Sequence, residues 1–141
     1  MAPSSYEIGK AHETRLRDLL DAWGIAYIRK KKFRTDRGRV LEVDFWLPPT
    51  ETREAVVVEC KDFGVVGWSV SDSRRRKEQE ALWLLLQIRR QCPETHDCKI
   101  VLVTGKEEFT REQVALLTAE LGPNFRIEAA GQLDKDQSCF L

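Results

Sequence analysis

Residues 55–61, with the sequence AVVVECK, constrain the fold more than any other stretch of the chain. Ala55 to Val58 has the apolar character of a buried β-strand, yet Glu59 and Lys61 follow directly. Side chains two residues apart in a strand point to the same face of a sheet. The pattern therefore predicts a buried strand that ends with a carboxylate and an ammonium group side by side.

The rest of the chain alternates between helical and extended patterns. Apolar residues at helical spacing predict a helix from Ser4 to Trp23, with Ser4 and Glu7 as a capping box and Gly24 as the C-cap. Strands are predicted at 25–33, 40–47, 55–61, 99–104 and 125–129, and further helices at 73–91 and 110–121. Strands joined by short turns pair antiparallel, whereas a strand reached through a long helix is expected to be parallel or at an edge. The chain is thus expected to form an α/β fold around a central mixed sheet flanked by helices.

The second predicted strand alternates strictly between apolar and polar residues. One face is expected to carry Leu41, Val43, Phe45 and Leu47. The other face carries Glu42, Asp44 and Trp46. If this strand forms a hairpin with the third, Asp44 faces the same side of the sheet as Glu59 and Lys61.

Acidic groups are expected to converge at this end of the sheet. Asp44 and Glu59 lie near strand ends, and Glu13, at the margin of the first helix's apolar stripe, can face the same place. Carboxylates that lie close together repel one another unless a cation lies between them. Mg²⁺ prefers oxygen ligands and is held by one or two carboxylates plus substrate phosphate. The pattern predicts a Mg²⁺ site formed by Asp44 and Glu59, with the backbone carbonyl of Cys60 as a further ligand.

Lys61 indicates what such a site would do. An ammonium group beside a metal-bound water can orient that water or stabilise charge that develops on phosphorus. The chemistry implied is hydrolysis of a phosphodiester. The alternative is a simple salt bridge of Glu59 with a neighbour, but the buried strand, the preceding aspartate and the acid-bearing helix together favour the hydrolase.

The distribution of basic residues predicts a surface for nucleic acid. Lys and Arg together number 23, as do Asp and Glu together, so the net charge does not indicate whether the chain binds nucleic acid. Two basic clusters are nevertheless expected to contact DNA backbone phosphates. The first comprises Arg29, Lys30, Lys31, Lys32, Arg34, Arg37 and Arg39, and the second comprises Arg74, Arg75, Arg76 and Lys77.

Other features bound the organisation of the chain. Its 141 residues suit one domain, expected at 1–130 and followed by a loose tail at 131–141. No apolar run has the length of a membrane span and no secretory signal is evident, so a cytoplasmic protein is expected. Cys92, His96 and Cys98 leave a zinc site open as an alternative to reduced thiols, although their spacing fits no usual zinc motif.

The stretches EVDFWLP and VVVECK, preceded by a glutamate-bearing helix and followed by a long one, resemble the PD-(D/E)XK nuclease superfamily over about residues 4–104. The resemblance implies a restriction-endonuclease-like α-β-β-β-α-β core. It implies Asp44 and Glu59 as ligands of Mg²⁺, which Mn²⁺ can replace, and Lys61 as the catalytic lysine. Glu13 matches an additional acid of the first helix, with a contact to the metal through water.

Within that superfamily, the length and the opening GKAHETRLRDLLDAWGIAYIRK are most similar to archaeal-type Holliday junction resolvases. That similarity implies a homodimer that cleaves branched or double-stranded DNA. Three alternatives stay open from sequence. They are a sequence-specific or mismatch endonuclease of the same fold, a non-catalytic DNA-binding relative, and a hydrolase that acts on RNA.

Overall fold

The computed structural model describes the backbone of residues 5–61, 72–104, 111–122, 124–129 and 140, with side chains described mainly in 13–60, 80–103 and 115–128. The elements follow the predicted order. They are α1 (Ser5–Ala22), β1 (Ile28–Arg34), β2 (Val40–Leu47), β3 (Val56–Lys61), α2 (Asp72–Gln91), a 3-10 helix (Pro93–Thr95), β4 (Lys99–Thr104), α3 (Arg111–Leu121) and β5 (Phe125–Ala129).

The strands form one mixed sheet in the order β1-β2-β3-β4-β5. β1, β2 and β3 pair antiparallel, and β3, β4 and β5 pair parallel. The parallel pairing of β4, which follows α2, confirms the expectation for a strand reached through a helix. Because β3 is the central strand, successive residues Val56, Val57 and Val58 are all fully buried.

Two apolar cores cover opposite faces of this sheet. Alternate residues of β3 and β4 contribute to each core, so both faces of these strands are buried. On one face the core includes Leu85 and Ile88 of α2, and we call it the α2-side core. On the other face it includes Leu16 and Leu20 of α1, and we call it the α1-side core. A sheet buried on both faces has a strongly specified register, which fixes the end of β3 relative to α1.

β1 and β2 exchange faces part-way along their length. The alternate residues Leu41, Val43, Phe45 and Leu47 of β2 are all buried. However, the first two of these belong to the α2-side core and the last two to the α1-side core, so the prediction of a single face is wrong. Pairing is regular with Arg29 opposite Phe45 and Lys31 opposite Val43. Between these pairs lies Lys30, whose φ of 55° turns the strand and redirects the side chains that follow.

The first helix ends as predicted, but β1 begins later than predicted. Gly24 has a φ of 70°, and its N–H donates to the carbonyl of Asp21 at 3.1 Å. The N–H of Ile25 donates to the carbonyl of Leu20 at 3.0 Å, which completes a Schellman motif. Because this motif occupies residues 24 and 25, β1 begins at Ile28. The predicted capping residue Ser4 lies outside the described residues.

Arg89 of α2 is a structural residue although it is basic. Its guanidinium donates to the carbonyls of Leu121 at 2.9 Å, His96 at 2.9 Å and Cys98 at 2.8 Å, and also to that of Thr95. It thereby ties the C-terminal end of α2 to the 3-10 helix, to the start of β4 and to α3. Burial lowers the pKa of Arg89, and the carbonyl oxygens compensate for the lost hydration of the charge.

The thiols near the 3-10 helix are part of the core. Cys92 and Cys98 are buried, whereas His96 is exposed. Burial, the largest cause, raises the pKa of Cys98 to about 11, so its thiol stays protonated at neutral pH. Within the described part of the chain, no group of three or more His, Cys, Asp or Glu residues is placed to hold a metal ion. The zinc alternative therefore gains no support there.

One residue of the predicted tail belongs to the core. Residues 131–139 lie outside the described part, but Phe140 is fully buried in the α1-side core, 6.2 Å from the ring of Trp23. The guanidinium of Arg53 donates to the carbonyls of Phe140 and Pro48. The expectation of a loose tail therefore does not hold for Phe140, while the boundary at 130 stays a prediction.

The role of Arg89 predicts a large loss of stability on substitution. Arg89→Leu should lower the free energy of unfolding by about 3 kcal/mol, because it leaves buried carbonyls without donors. Arg90→Leu is the matched control, since Arg90 is exposed and contacts only the exposed Glu120 among described acids. It should lose less than about 1 kcal/mol. Urea unfolding of both variants measures the difference, and equal losses would contradict the structural role of Arg89.

Candidate active site

The candidate site lies where β2 and β3 diverge. Their antiparallel pairing includes Phe45 opposite Val58 and does not continue to the next residues, Asp44 and Glu59. There, side-chain carboxylates accept hydrogen bonds from the backbone in place of main-chain carbonyls. The N–H of Cys60 donates to Oδ2 of Asp44 at 2.8 Å, and the N–H of Asp44 donates to Oε1 of Glu59 at 3.2 Å. Two carboxylates thus act as acceptors where main-chain carbonyls would pair in a regular sheet.

These reciprocal bonds fix both carboxylates at a strand end. Glu59 is only 4% exposed, and the side chain of Asp44 is 15% exposed. A buried carboxylate is stable only when hydrogen bonds or cations compensate for its lost hydration. The two backbone amides supply part of that compensation. Asp44 and Glu59 therefore meet as the sequence predicted, although they meet through the backbone rather than across a regular pair of strands.

Glu13 of α1 reaches the same place from the other layer. It lies one turn before Leu16, which anchors α1 on the sheet, and its side chain is 17% exposed. Its carboxylate contacts the Arg29 guanidinium at 3.4 Å and the Lys30 ammonium at 3.1 Å. The Lys30 ammonium lies 3.7 Å from Oδ1 of Asp44. The site consequently contains three acids, Glu13, Asp44 and Glu59, and a lysine that bridges two of them.

Burial and mutual repulsion separate the pKa values of the acids. Burial, and then the neighbouring carboxyl of Asp44, raise the pKa of Glu13, and Lys30 only partly opposes this. Burial would also raise the pKa of Asp44, but hydrogen bonds with the carboxyls of Glu59 and Glu13 and with the Cys60 N–H, together with Lys30, lower it. Asp44 accordingly stays ionised more readily than Glu13, and an ionised carboxylate is what a metal ion would require.

The pKa of Lys30 is raised. Burial opposes its charge, but its hydrogen bond to Glu13 and the negative charges of Glu13, Asp44 and Glu42 outweigh that effect. The ammonium is therefore charged at neutral pH and compensates part of the negative charge of the site.

The donor atoms suit a hard divalent cation. The groups that converge, the carboxylates of Asp44 and Glu59, offer only oxygen, which Mg²⁺ prefers over nitrogen or sulfur. No group of three acids is already placed as a metal cage within the described part of the chain. A cage is not required, because Mg²⁺ keeps several waters and needs only one or two protein carboxylates. The fit is thus to a site completed by water and substrate oxygens.

Several predicted site residues can be placed only in part. Lys61 ends β3 opposite Thr104, but its side chain lies outside the described part. Arg74, Arg75, Arg76 and Lys77 lie near the start of α2, and their side chains are likewise not described. Their predicted roles stay predictions.

The basic residues of the β1–β2 hairpin divide into two groups. Arg29 and Lys30 contact Glu13, and the Lys31 ammonium lies over the rings of Phe33 and Trp46 at 5.7 and 6.0 Å. The remaining members are exposed and have no ion pair within the described residues: Lys32, Arg34, Arg37 and Arg39. These four are free to meet an anionic surface.

The chain matches no family model and no curated protein. Among solved structures it is similar to a complex of the restriction endonuclease PspGI with substrate DNA, at 19% identity and a TM-score of 0.63. The chain has a restriction-endonuclease-like fold. The match covers 87% of this chain and 46% of that one, so the chain spans about half the length of that endonuclease. Separately, none of the described helices is both long enough and apolar enough to cross a membrane.

Sequence reasoning missed the placement of Lys30 in the acidic site. It grouped Lys30 with the DNA-contacting residues, because the run RKKK carries no signal that one member has a positive φ. A positive φ is uncommon outside glycine and depends here on how β1 crosses between the two layers. Only the structure shows that the neighbouring residues Arg29 and Lys30 both contact Glu13.

Proposed function

We propose that the chain is a metal-dependent endodeoxyribonuclease that hydrolyses DNA phosphodiesters. The observation that carries this proposal is the pair of reciprocal bonds between the Asp44 and Glu59 carboxylates and the backbone of β2 and β3. These bonds place carboxylate oxygens that can bind a metal ion next to one another at a strand end. The restriction-endonuclease-like fold supports the same reading, since the similar solved structure is a restriction endonuclease with DNA.

The residues of the site take distinct roles in this proposal. Asp44, Glu59 and the backbone carbonyl of Cys60 would hold Mg²⁺ or Mn²⁺, with Glu13 contributing through a water molecule. The bound ion would supply a water of lowered pKa and neutralise negative charge on the phosphate. Lys61 follows Glu59 by two residues in the same strand, so it is expected on the same side of the sheet. Its ammonium would orient the attacking water and stabilise charge on the phosphate.

DNA would be held by the exposed basic residues of the β1–β2 hairpin. Lys32, Arg34, Arg37 and Arg39 are exposed without ion pairs in the described part, so phosphates would not have to displace an internal partner. Contacts of this kind fix the position of the backbone without reading sequence. Arg74, Arg75, Arg76 and Lys77, near the start of α2, would extend the contact.

For the substrate we propose four-way DNA junctions, cut by a homodimer. The proposal rests on the sequence resemblance to archaeal-type resolvases, since symmetric cleavage of two strands requires two sites related by a two-fold axis. The similarity to a restriction endonuclease in complex with substrate DNA favours the second candidate, a sequence-specific endonuclease of the same fold.

The proposed roles predict which substitutions abolish cleavage. Asp44→Asn, Glu59→Gln and Lys61→Met should each reduce the cleavage rate in Mg²⁺ by about a hundredfold or more, because each removes a group that acts in the transition state. Lys99→Met is the matched control, since Lys99 starts β4 opposite Val56, at the other end of β3. It should retain wild-type activity.

The assay should use a four-way junction, a linear duplex and a mismatched duplex, with DNA binding measured for every variant. Loss of cleavage with binding retained supports the catalytic roles, and faster cleavage of the junction supports the resolvase. Variants at Asp44, Glu59 and Lys61 that all cut as well as wild type would refute the site. A wild-type chain that binds but never cuts would indicate a non-catalytic relative.

The basic hairpin predicts the salt dependence of DNA binding. Arg37→Gln/Arg39→Gln should weaken binding and reduce the slope of log K against log salt concentration by about 1 to 2, since fewer counterions are released. Lys99→Gln/Arg126→Gln removes the same charge away from the hairpin, because Lys99 and Arg126 lie in β4 and β5, which β3 separates from β1 and β2. This control should leave the slope unchanged. Equal changes in both double variants would show that total charge, not the hairpin, determines binding.

A further inference from the structure

Lys30 combines an uncommon backbone conformation with an uncommon position. Its φ of 55° is the only positive φ at a non-glycine residue in the described part of the chain. Glycine or asparagine adopts this conformation with less strain. The position nevertheless carries a long cationic side chain, half of whose surface is buried among acids. This combination suggests that the side chain, not only the turn, is needed at this point.

The ammonium of Lys30 contacts two of the site's carboxylates. It lies 3.1 Å from Oε1 of Glu13 and 3.7 Å from Oδ1 of Asp44. Arg29 also contacts Glu13, at 3.4 Å, but no contact joins it to Asp44. Lys30 therefore links α1 to β2 across the acidic site, whereas Arg29 supports one side of it.

The positive φ directs the Lys30 side chain into the site. Of its two neighbours, Arg29 also contacts Glu13 and lies 5.6 Å from the Phe45 ring on the α1 side. The Lys31 ammonium instead lies over the Phe33 and Trp46 rings on the α2 side. Lys30 lies at the crossing between these faces, beside the acidic strand end. The exchange of faces in β1 thus presents a cation to the carboxylates that the proposed function assigns to a metal ion.

A lysine ammonium and a divalent ion need the same oxygens. Both are compact charges that compensate repulsion between neighbouring carboxylates. Oδ1 of Asp44 lies toward the ammonium, while Oδ2 is engaged by the Cys60 N–H. An ion that binds Asp44 would therefore have to displace the ammonium or accept its repulsion.

We propose that Lys30 is a positioning residue that serves as an internal counter-cation: it holds Glu13 and Asp44 together without a divalent ion and competes with that ion for them. The inference rests on the proposed function for the assignment of Asp44 as a metal ligand. In this proposal the Lys30 ammonium lowers the affinity of the site for the ion.

The test compares Mn²⁺ binding by calorimetry in wild type, Lys30→Met and Lys30→Gly. Both variants remove the ammonium, but only the glycine also relieves the strained φ. Lys99→Met is the matched control, because it removes an equal charge at the start of β4, opposite Val56 at the other end of β3. Both Lys30 variants should bind Mn²⁺ about tenfold more tightly than wild type, the effect expected for removing a nearby positive charge. The control should bind as wild type does. In EDTA, Lys30→Met should also melt at a lower temperature than wild type.

Each outcome decides the inference. Tighter binding in both Lys30 variants supports it. Tighter binding in the glycine variant alone would assign the effect to the backbone and overturn it. Unchanged or weaker binding in both, or no Mn²⁺ binding by any form, would also overturn it. DNA cleavage is measured in parallel to separate the two proposals. Wild-type cleavage with unchanged Mn²⁺ affinity in Lys30→Met refutes only the counter-cation, and tighter Mn²⁺ binding without any cleavage refutes only the nuclease.

Discussion

The site depends on one constraint at the point where β2 and β3 diverge, which we call the β2–β3 fork. There, the carboxylates of Asp44 and Glu59 accept hydrogen bonds from backbone amides. In a regular sheet, backbone amides donate to carbonyl oxygens of neighbouring strands. Here the amides of Asp44 and Cys60 bind the side chains of Glu59 and Asp44, so the acids are oriented by the sheet itself. Loops are not needed to place them, and sites built on strands are held more precisely than sites on loops.

The layered fold makes this fork accessible from three elements. β3 is buried on both faces because it is central, and it carries Glu59 to the strand end. α1 packs on one face and brings Glu13, while β1, the edge strand, brings Lys30. The exchange of faces in β1 and β2 is what allows one short hairpin to contribute to both cores and to the acidic site. Its outer end remains exposed and basic.

The sequence contained enough information to predict the order of the elements, the mixed sheet and the meeting of Asp44 with Glu59. These follow from local signals: apolar runs, alternation, and Gly24 after the first helix. The exchange of faces could not be predicted, because alternating burial in β2 looks the same whether Phe45 joins one core or the other. The same holds for Arg89, which reads as one of several helix arginines and is distinguished only by the carbonyls that converge on it.

The central claim is that Asp44 and Glu59 hold one divalent ion at the fork. A crystal structure with Mn²⁺, located by its anomalous scattering, tests this most directly. The account predicts an ion with an oxygen of each carboxylate at about 2.1 Å, and water molecules completing the octahedron. An ion bound elsewhere, or one bound while Asp44 and Glu59 point away from it, would contradict the account.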